Sequence, residues 1–361
     1  MTDDLCRDWI RPEIRAESGI KKEPVPEGTL RLDAMENPFD LPPEIHRRLG
    51  EDLARLPLNR YPDGGASELR DLLGKRLFGL PSDNIFLGNG SDEILQNLFL
   101  LTPGPILLAE PTFSMYRLLA RITGRPVGTV PLEKDFSLDP ERLLEAVKRL
   151  RPSLIVLSHP NNPTGRDLDS RVVEGLCREF PGGILVDEAY FPFSGNTLLS
   201  LRETCPSLMI LRSLSKMGLA ALRLGILAAN PRIVSELDKI RLPYNLDILT
   251  QRAATLICRE SFPVLEAQVR VIVGLREELR ERLQNISGVT PLPSSANFLL
   301  VRIAGTDPSF VAQKLALQGI CVRDVSRQHP LLAGCLRVTI GKREENDRFA
   351  STLALILKGQ P

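Results

Sequence analysis

Between residues 84 and 230 the hydrophobic positions fall into short continuous runs that are separated by amphipathic stretches. Continuous apolar runs of this length are typical of strands that are covered on both faces. Stretches with apolar residues three and four positions apart, such as 91–102 and 138–150, are typical of helices. The alternation predicts an α/β fold with a mostly parallel sheet flanked by helices. The strand-like runs are NIFLG, PILLAE, RPVGTVPL, SLIVLSHP, GILVDEAY, LMILRSLS and LGILAAN.

The two ends of the chain have a different pattern. Residues 1–45 are rich in proline and lack periodicity, which predicts an arm that lies over another part of the protein. Residues 290–361 mix strand and helix patterns, as expected of an α+β unit. We therefore predict a large α/β domain over 46–245, and a small α+β domain formed by 1–45 together with 246–361.

Composition narrows the class of protein. The 46 basic and 45 acidic residues leave a net charge of +1, which gives no general attraction to nucleic acid or to an anionic membrane. The three histidines and six scattered cysteines, with no C-x-x-C pair, do not form a metal-ligand pattern. No signal sequence and no apolar run of 18 residues are visible. We expect a cytoplasmic protein with reduced cysteines, no metal, and no nucleic-acid or membrane partner.

Several short motifs suggest other functions but are incomplete. LGNGSDE (87–93) carries Glu93 where a dinucleotide fingerprint has its third glycine, although its turn could hold a phosphate or simply begin a helix. ILVDE resembles the acidic strand of nucleotide hydrolases, but the chain has no G-x-x-x-x-G-K-S/T loop. Residues 213–216 match S-x-x-K and residues 82–84 spell S-D-N, yet their order differs from penicillin-binding enzymes and no K-T-G follows.

Candidate catalytic residues lie at the predicted carboxyl ends of the strands, where open α/β sheets bind ligands. Lys216 lies among small and apolar residues, and Arg223 follows it. An apolar or cationic environment lowers the pKa of a lysine amine and makes it a nucleophile toward an aldehyde. Asp187 ends a buried strand, where a carboxylate needs a partner such as a protonated heterocyclic nitrogen. Asp187 and Glu188 should point to opposite faces of this strand, which disfavours an acid–base pair.

The other polar residues at these strand ends indicate the rest of the ligand. Asn162 and Tyr190 can donate to a phenolate-like oxygen, and Phe113 can stack on a flat ring. Three residues suit a phosphate: Ser213, Ser215 and Arg223. Each residue alone also fits an ordinary turn, core or surface position. Together they indicate an aldehyde with a phosphate, a ring nitrogen and a ring oxygen, and pyridoxal 5′-phosphate (PLP) has all four.

Motifs along nearly the whole chain resemble those of the fold-type I PLP-dependent aminotransferases, and among them the enzymes that act on histidinol phosphate. They occur in the order of that family: LDAMENP (32–38), NRYPDG (59–64), NGSDE (89–93), PTFSMY (111–116), HPNNPTG (159–165), VDEAY (186–190), LSKMGLAALRLG (214–225), SSANF (294–298), VRD (322–324) and CLRVTIG (335–341).

This resemblance implies a role for each candidate residue. Lys216 would bind PLP covalently and move protons between substrate and cofactor, and Asp187 would keep the ring nitrogen protonated. Asn162 and Tyr190 would bind the ring oxygen, and Phe113 would stack on the ring. The resemblance also implies a homodimer with shared active sites. The phosphate would be held by Ser213, Ser215, Arg223, the backbone at Ser91 and Asp92, and Tyr61 of the neighbouring subunit.

The resemblance further implies transfer of an amino group from L-histidinol phosphate to 2-oxoglutarate in histidine biosynthesis. Arg323 and Arg337 match the arginines that bind the anionic end of the substrate. Two features depart from the family pattern. The spacing from Lys216 to Arg223 is one residue shorter, which requires a tighter turn, and Ile20 stands where an arm aromatic residue is usual.

Three alternatives remain open at this point. The chain could be an aminotransferase for aromatic amino acids or a PLP-dependent phosphoamino-acid decarboxylase of the same fold. It could also be a catalytically silent binding or regulatory protein, although the complete set of candidate catalytic residues argues against that role.

Overall fold

The computed structural model describes residues 9–17 and 26–359 of the chain. Strands form two sheets, and the apolar runs predicted as strands between residues 84 and 230 form the larger one. The strands are β1 Leu30–Leu32, β2 Ile85–Asn89, β3 Ile106–Glu110, β4 Val127–Pro131, β5 Leu154–Ser158, β6 Gly183–Asp187, β7 Leu208–Ser213, β8 Leu224–Ala228, β9 Val289–Pro291, β10 Phe298–Ile303, β11 Ile320–Asp324 and β12 Cys335–Thr339.

Helices connect these strands and cover the sheets. Five of them begin after an Asp or Asn side chain that accepts a backbone N–H of the first turn, which stabilises a helix start. The helices are α1 Pro12–Arg15, α2 Pro43–Leu53, α3 Ser67–Leu73, α4 Ser91–Leu101, α5 Ser114–Ile122, α6 Pro140–Leu150, α7 Ser170–Glu179, α8 Phe191–Ser194, α9 Pro231–Ile240, α10 Ile248–Glu260, α11 Phe262–Gln284, α12 Pro308–Leu317 and α13 Arg343–Lys358.

The larger sheet has seven strands in the order β2-β8-β7-β6-β5-β3-β4. Its strands run parallel except β8, which is antiparallel to both neighbours, so the prediction of a mostly parallel sheet is confirmed. Alternate residues of β5 enter different apolar cores, Ile155 on one face and Val156 on the other. Burial on both faces explains why these strands have no polar alternation.

The smaller sheet has five strands in the order β1-β11-β12-β10-β9 and is antiparallel except for the β1–β11 pair. Strand β1 comes from the N-terminal arm, in which the sequence pattern predicts no strand. The arm therefore contributes a strand to a sheet whose other strands lie between residues 289 and 339. The proposed domain boundaries at 45/46 and 245/246 stay predictions.

One expectation about the cysteines is wrong. Cys177 of α7 and Cys205 form a disulfide with their Cα atoms 5.4 Å apart, whereas Cys258, Cys321 and Cys335 are free. Among residues 9–17 and 26–359, no cluster of three or more metal-ligating side chains occurs. In the same part of the chain, no helix is long and apolar enough to span a membrane.

Candidate active site

The carboxyl ends of three neighbouring strands carry most of the candidate residues. Asp187 is the last residue of β6 and Ser213 the last of β7, and the loop after β5 carries Asn162. Lys216 lies just beyond Ser213 in a 3₁₀ turn, Ser215–Met217. Because parallel strands end at the same edge of a sheet, these residues come together from distant parts of the chain.

Lys216 is largely removed from water. Burial, together with the positive charges of Arg337 and Arg223, lowers the pKa of its amine to about 8, although Glu36 and Asp92 oppose this shift. A lysine with this pKa has a usable fraction of neutral, nucleophilic amine near neutral pH. The environment of Lys216 therefore fits the reactive role that the sequence predicts for it.

Asp187 is a buried carboxylate, 5% exposed, that forms no ion pair with a described residue. Its Oδ2 accepts a hydrogen bond from the Tyr116 hydroxyl at 2.6 Å, and its Oδ1 accepts one from the Ala189 N–H at 3.0 Å. Burial raises the pKa of Asp187 to about 6, against the lowering effect of these two donors. Among the described residues no cation forms an ion pair with this carboxylate, which leaves it available to a cationic ligand.

Tyr116 is a residue of this site that the sequence interpretation missed. It lies within the quoted PTFSMY motif, three positions after Phe113, which is the N-cap of α5, and Tyr116 lies in the first turn of that helix. Their rings make an edge-to-face contact with centroids 5.5 Å apart. The helical spacing could have indicated that the two residues act at one place.

Asn162, Tyr190 and Arg337 form a continuous hydrogen-bonded chain. The Asn162 side-chain N–H donates to the Tyr190 hydroxyl at 3.2 Å, and Arg337 Nη1 donates to Asn162 Oδ1 at 2.6 Å. Arg337 Nη2 donates to the carbonyl of Asp33 at 2.9 Å, which ties the N-terminal arm to the site. The buried Nε of Arg337 has no partner among the described residues. Burial raises the pKa of Tyr190 and lowers that of Arg337.

Two glycines make a close approach possible at the other end of the site. A Cβ on Gly90, whose φ is +80°, would lie 2.5 Å from Nη2 of Arg223. A Cβ on Gly225 would lie 2.6 Å from the backbone nitrogen of Ser91. No side chain caps the start of α4, so the backbone N–H groups of Ser91 and Asp92 have no capping acceptor. The start of α4 therefore lacks a side-chain cap, and free N–H groups of this kind suit an anion.

Arg223 is held at this helix start despite its short spacing from Lys216. A 3₁₀ turn, Ala220–Leu222, precedes it, and Arg223 itself adopts a left-handed φ of +47°. Its carbonyl accepts the Gly90 N–H at 2.6 Å, and its Nη2 lies 3.7 Å from Asp92 Oδ2. This turn leaves the guanidinium beside the start of α4, and the expectation that it is tighter than in the family stays a prediction.

The two candidate serines are buried but differ in their bonding. Ser213 Oγ accepts the Ser215 N–H at 3.1 Å and donates to the Leu224 carbonyl at 3.3 Å, so it stabilises the turn that carries Lys216. The Ser215 hydroxyl makes no hydrogen bond with the described part of the chain.

Two candidate residues, Tyr61 and Arg323, form no hydrogen bond with this cluster in the described part of a single chain. Tyr61 is 80% exposed, and its ring stacks on that of Tyr244 with centroids 4.5 Å apart. Arg323 is exposed on β11, directly opposite Arg337 of β12 in the strand register. Ile20 lies outside the described residues.

Comparison with known proteins shows which family this chain resembles. A family model described as aminotransferase class I and II matches residues 27–353. Histidinol-phosphate aminotransferase 2 of Nitrosococcus oceani is 38% identical over 357 residues, 98% of each chain. Histidinol-phosphate aminotransferase 1 of Ralstonia nicotianae is 39% identical over 368 residues, 99% of this chain and 97% of that one.

A solved structure agrees with the fold. Histidinol-phosphate aminotransferase from Sinorhizobium meliloti in complex with PLP superposes with a TM-score of 0.84 at 24% identity, covering 97% of this chain and 98% of that one. The chain therefore belongs to the class I and II aminotransferase family, among the histidinol-phosphate aminotransferases.

Proposed function

We propose that this protein is a PLP-dependent transaminase that converts L-histidinol phosphate and 2-oxoglutarate to imidazole-acetol phosphate and L-glutamate, a step of histidine biosynthesis. One observation carries the proposal. Lys216, an amine with a lowered pKa, shares a site with Asp187, a buried carboxylate that forms no ion pair with a described residue. Full-length relatives that bear this enzyme name support the choice of reaction.

The site residues fit PLP at both of its ends. Asp187 would pair with the protonated ring nitrogen, which removes the cost of an unpaired buried charge. Gly90 and Gly225 leave room beside the uncapped N-terminus of α4, where the PLP phosphate would lie. Bound PLP supplies an electron-accepting ring that stabilises negative charge on the substrate carbon. The other phosphate ligands would be Ser213, Ser215 and Arg223.

The ring would be fixed by residues between these two ends. Asn162 and Tyr190, already bonded to each other, would donate to the ring oxygen, and Phe113 would lie against the ring face. Lys216 would hold the cofactor covalently until an amino substrate displaces its Nζ. The released amine would then take the proton from the substrate carbon and return it to C4′ of the cofactor. Burial and neighbouring positive charge keep part of this amine unprotonated, as a base requires.

The substrate end of the site is cationic. Arg337 and Arg323 face each other across adjacent strands, and like charges in this position repel. An anion between them would relieve the repulsion and use the unpartnered Nε of Arg337. A phosphate and a carboxylate both suit the planar guanidinium fork. The same pair of arginines can thus serve the phosphate of histidinol phosphate and the carboxylate of glutamate in turn.

The active protein is proposed to be a cytoplasmic homodimer in which Tyr61 reaches the phosphate of the partner's cofactor. The stacked rings of Tyr61 and Tyr244 lie on the surface, and Leu58 and Leu242, close to them in sequence, are each 71% exposed. Exposed apolar groups of this kind mark interfaces. Light scattering should give twice the chain mass, and a fully active monomer would rule out shared sites.

A coupled assay of the purified protein tests the reaction. Histidinol phosphate should be a better amino donor than phenylalanine or tyrosine with 2-oxoglutarate. If either aromatic amino acid is better by tenfold or more in kcat/KM, about 1.4 kcal/mol, the aromatic alternative replaces this one. Release of CO₂ from a phosphoamino acid would instead indicate the decarboxylase.

Arg337→Ala tests the substrate site. Loss of an arginine paired with a buried anion should cost about 2–5 kcal/mol of binding free energy. This loss should lower kcat/KM more than tenfold. Arg232→Ala, which removes an exposed arginine of α9, is the matched control and should change nothing. Ile20→Tyr should lower the KM for histidinol phosphate by the smaller effect of one hydrogen bond, about 0.5–1.5 kcal/mol. Equal effects of Arg337→Ala and Arg232→Ala would contradict the assignment.

A further inference from the structure

Tyr116 is a fully buried residue whose hydroxyl has a specific partner. Its side chain is 0% exposed, and its Oη donates to Oδ2 of Asp187 at 2.6 Å across 71 positions of sequence. A hydrogen bond from a neutral donor to a carboxylate is short and about twice as strong as one between neutral groups. Tyr116 belongs to α5 and Asp187 ends β6, so this contact joins the helix to the sheet.

The environment makes Tyr116 a donor at every working pH. Burial and the negative charge of Asp187 raise the pKa of the Tyr116 phenol well above its usual value. The phenol therefore keeps its proton and does not become a second negative charge in the site. Ser158, the register partner of Asp187 on β5, lies beside this phenol and interacts with it.

Asp187 needs this donor because its surroundings disfavour the charged form. Burial has the largest effect on its pKa, and the negative charge of Asp92 acts in the same direction. The Tyr116 hydroxyl is the strongest influence in the opposite direction, ahead of the Ala189 N–H and the charge of Lys216. Tyr190, which also faces Asp187, is held neutral by burial. With Tyr116 on Oδ2 and Ala189 on Oδ1, both oxygens of the carboxylate are also fixed in direction.

We propose that Tyr116 is a positioning residue that keeps Asp187 ionised and aimed at the ring nitrogen of PLP. The proposal rests on the proposed function, because it needs PLP to be the ligand of Asp187. Tyr116 touches neither substrate nor the reacting atoms in this scheme and acts through the carboxylate alone. Its loss should lower cofactor affinity and kcat, with little change in KM for the substrates.

Tyr116→Phe removes one oxygen and leaves the ring, so it isolates the hydrogen bond. The affinity of the apoprotein for PLP is measured between pH 5 and 9, beside that for the 1-deaza analogue, in which a carbon replaces the ring nitrogen. In the unaltered protein, PLP affinity should fall as pH drops through about 6, where Asp187 takes up a proton. In Tyr116→Phe this midpoint should move to higher pH, and affinity at pH 7 should fall at least tenfold.

Two controls separate this role from simple packing. The deaza analogue has no ring proton to share with Asp187, so its affinity should be the same for Tyr116→Phe and the unaltered protein. Ser114→Ala removes an exposed hydroxyl from the same helix and should change neither affinity nor midpoint. Equal weakening of PLP and the deaza analogue would show a structural role only and would overturn the proposal.

A second variant keeps the test decisive if Tyr116→Phe folds poorly. 3-Fluorotyrosine placed at position 116 has nearly the same shape but a more acidic hydroxyl, so it donates more strongly and should move the midpoint to lower pH. An unchanged midpoint would overturn the proposal while leaving PLP binding intact. Failure of the unaltered protein to bind PLP at all is a different result, and it would refute the proposed function itself.

Discussion

Asp187 and Glu188 are neighbours in sequence, and both are buried. They lie on opposite faces of the large sheet, and their hydrogen-bond and ion-pair partners differ. Glu188 is 0% exposed, and its Oε2 accepts from Nη2 and Nε of Arg212 at 2.8 and 3.0 Å. Thr197 and the backbone N–H of Leu198 also donate to it. Asp187 receives only the neutral donors of Tyr116 and Ala189.

The difference is the one expected between a carboxylate that supports the fold and one that binds a ligand. The chain neutralises Glu188 from within, and the Arg212 guanidinium also stacks on the ring of Phe191, 3.8 Å from its centroid. The described chain gives Asp187 no ion pair, and the charge of Lys216 acts on this carboxylate less than the Tyr116 hydroxyl does. A buried charge that is paired internally holds elements together, whereas one without an internal partner is available to a ligand. Substitution of Glu188 should therefore lower the free energy of unfolding, whereas substitution of Asp187 should lower cofactor binding.

The largest effect is expected on the Asp187 side of the sheet, at Lys216. Lys216→Ala removes the residue proposed to move the substrate proton, which should lower kcat by about 10²–10⁴-fold or more. Some PLP should remain bound because the phosphate contacts are intact, and stability should change little. Borohydride reduction of the unaltered holoenzyme should attach the cofactor to the peptide that contains Lys216. A label on another lysine would remove the central assignment.

A pair of isosteric changes tests the comparison itself. Glu188→Gln leaves Arg212 buried without its counter-ion and should lower the free energy of unfolding by about 3–5 kcal/mol. Asp187→Asn removes a charge that has no internal partner, so the apoprotein should lose less than about 1 kcal/mol or gain stability, while PLP binding falls sharply. Denaturant unfolding of both apoproteins at pH 7 gives the two values. Equal destabilisation by the two changes would contradict the claim that Glu188 stabilises the fold and Asp187 does not.

The pH dependence of stability gives a smaller effect of known sign. Burial raises the pKa of Asp187 to about 6 in the folded protein, from an ordinary value of 3.8. Between these values the folded state holds a proton that the unfolded state has lost, so unfolding free energy falls as pH rises through this window. The total for two pKa units is about 3 kcal/mol. The unaltered apoprotein should show this fall relative to Asp187→Asn, and parallel curves for the two proteins would contradict it.

Local pattern predicts the large sheet well because its strands are buried on both faces and leave continuous apolar runs. The same pattern places Asp187 and Lys216 at strand ends, and the parallel topology then brings them together. The periodicity of the chain does not identify partners that lie far apart in sequence. Periodicity does not indicate that Arg212 pairs with Glu188 or that Cys177 forms a disulfide with Cys205.

Strand β1, Tyr116 and Tyr61 also depend on contacts that the local sequence pattern does not show. Strand β1 has three residues and pairs with a strand 290 positions away, so no local periodicity could reveal it. Tyr116 could be predicted to be buried from its helical phase, but its bond to Asp187 depends on how α5 packs over β6. The role proposed for Tyr61 would need a second subunit, and within one chain Tyr61 is an exposed ring.

The protonation state of the ring nitrogen tests the account most directly. PLP labelled with ¹⁵N in its ring is bound to the unaltered protein and to Asp187→Asn, and the nitrogen shift is recorded by NMR near pH 7.5. The account predicts a protonated nitrogen in the unaltered protein and an unprotonated one in Asp187→Asn. An unprotonated nitrogen in the unaltered protein, or the same shift in both proteins, would contradict the claim that Asp187 is built to receive this cation.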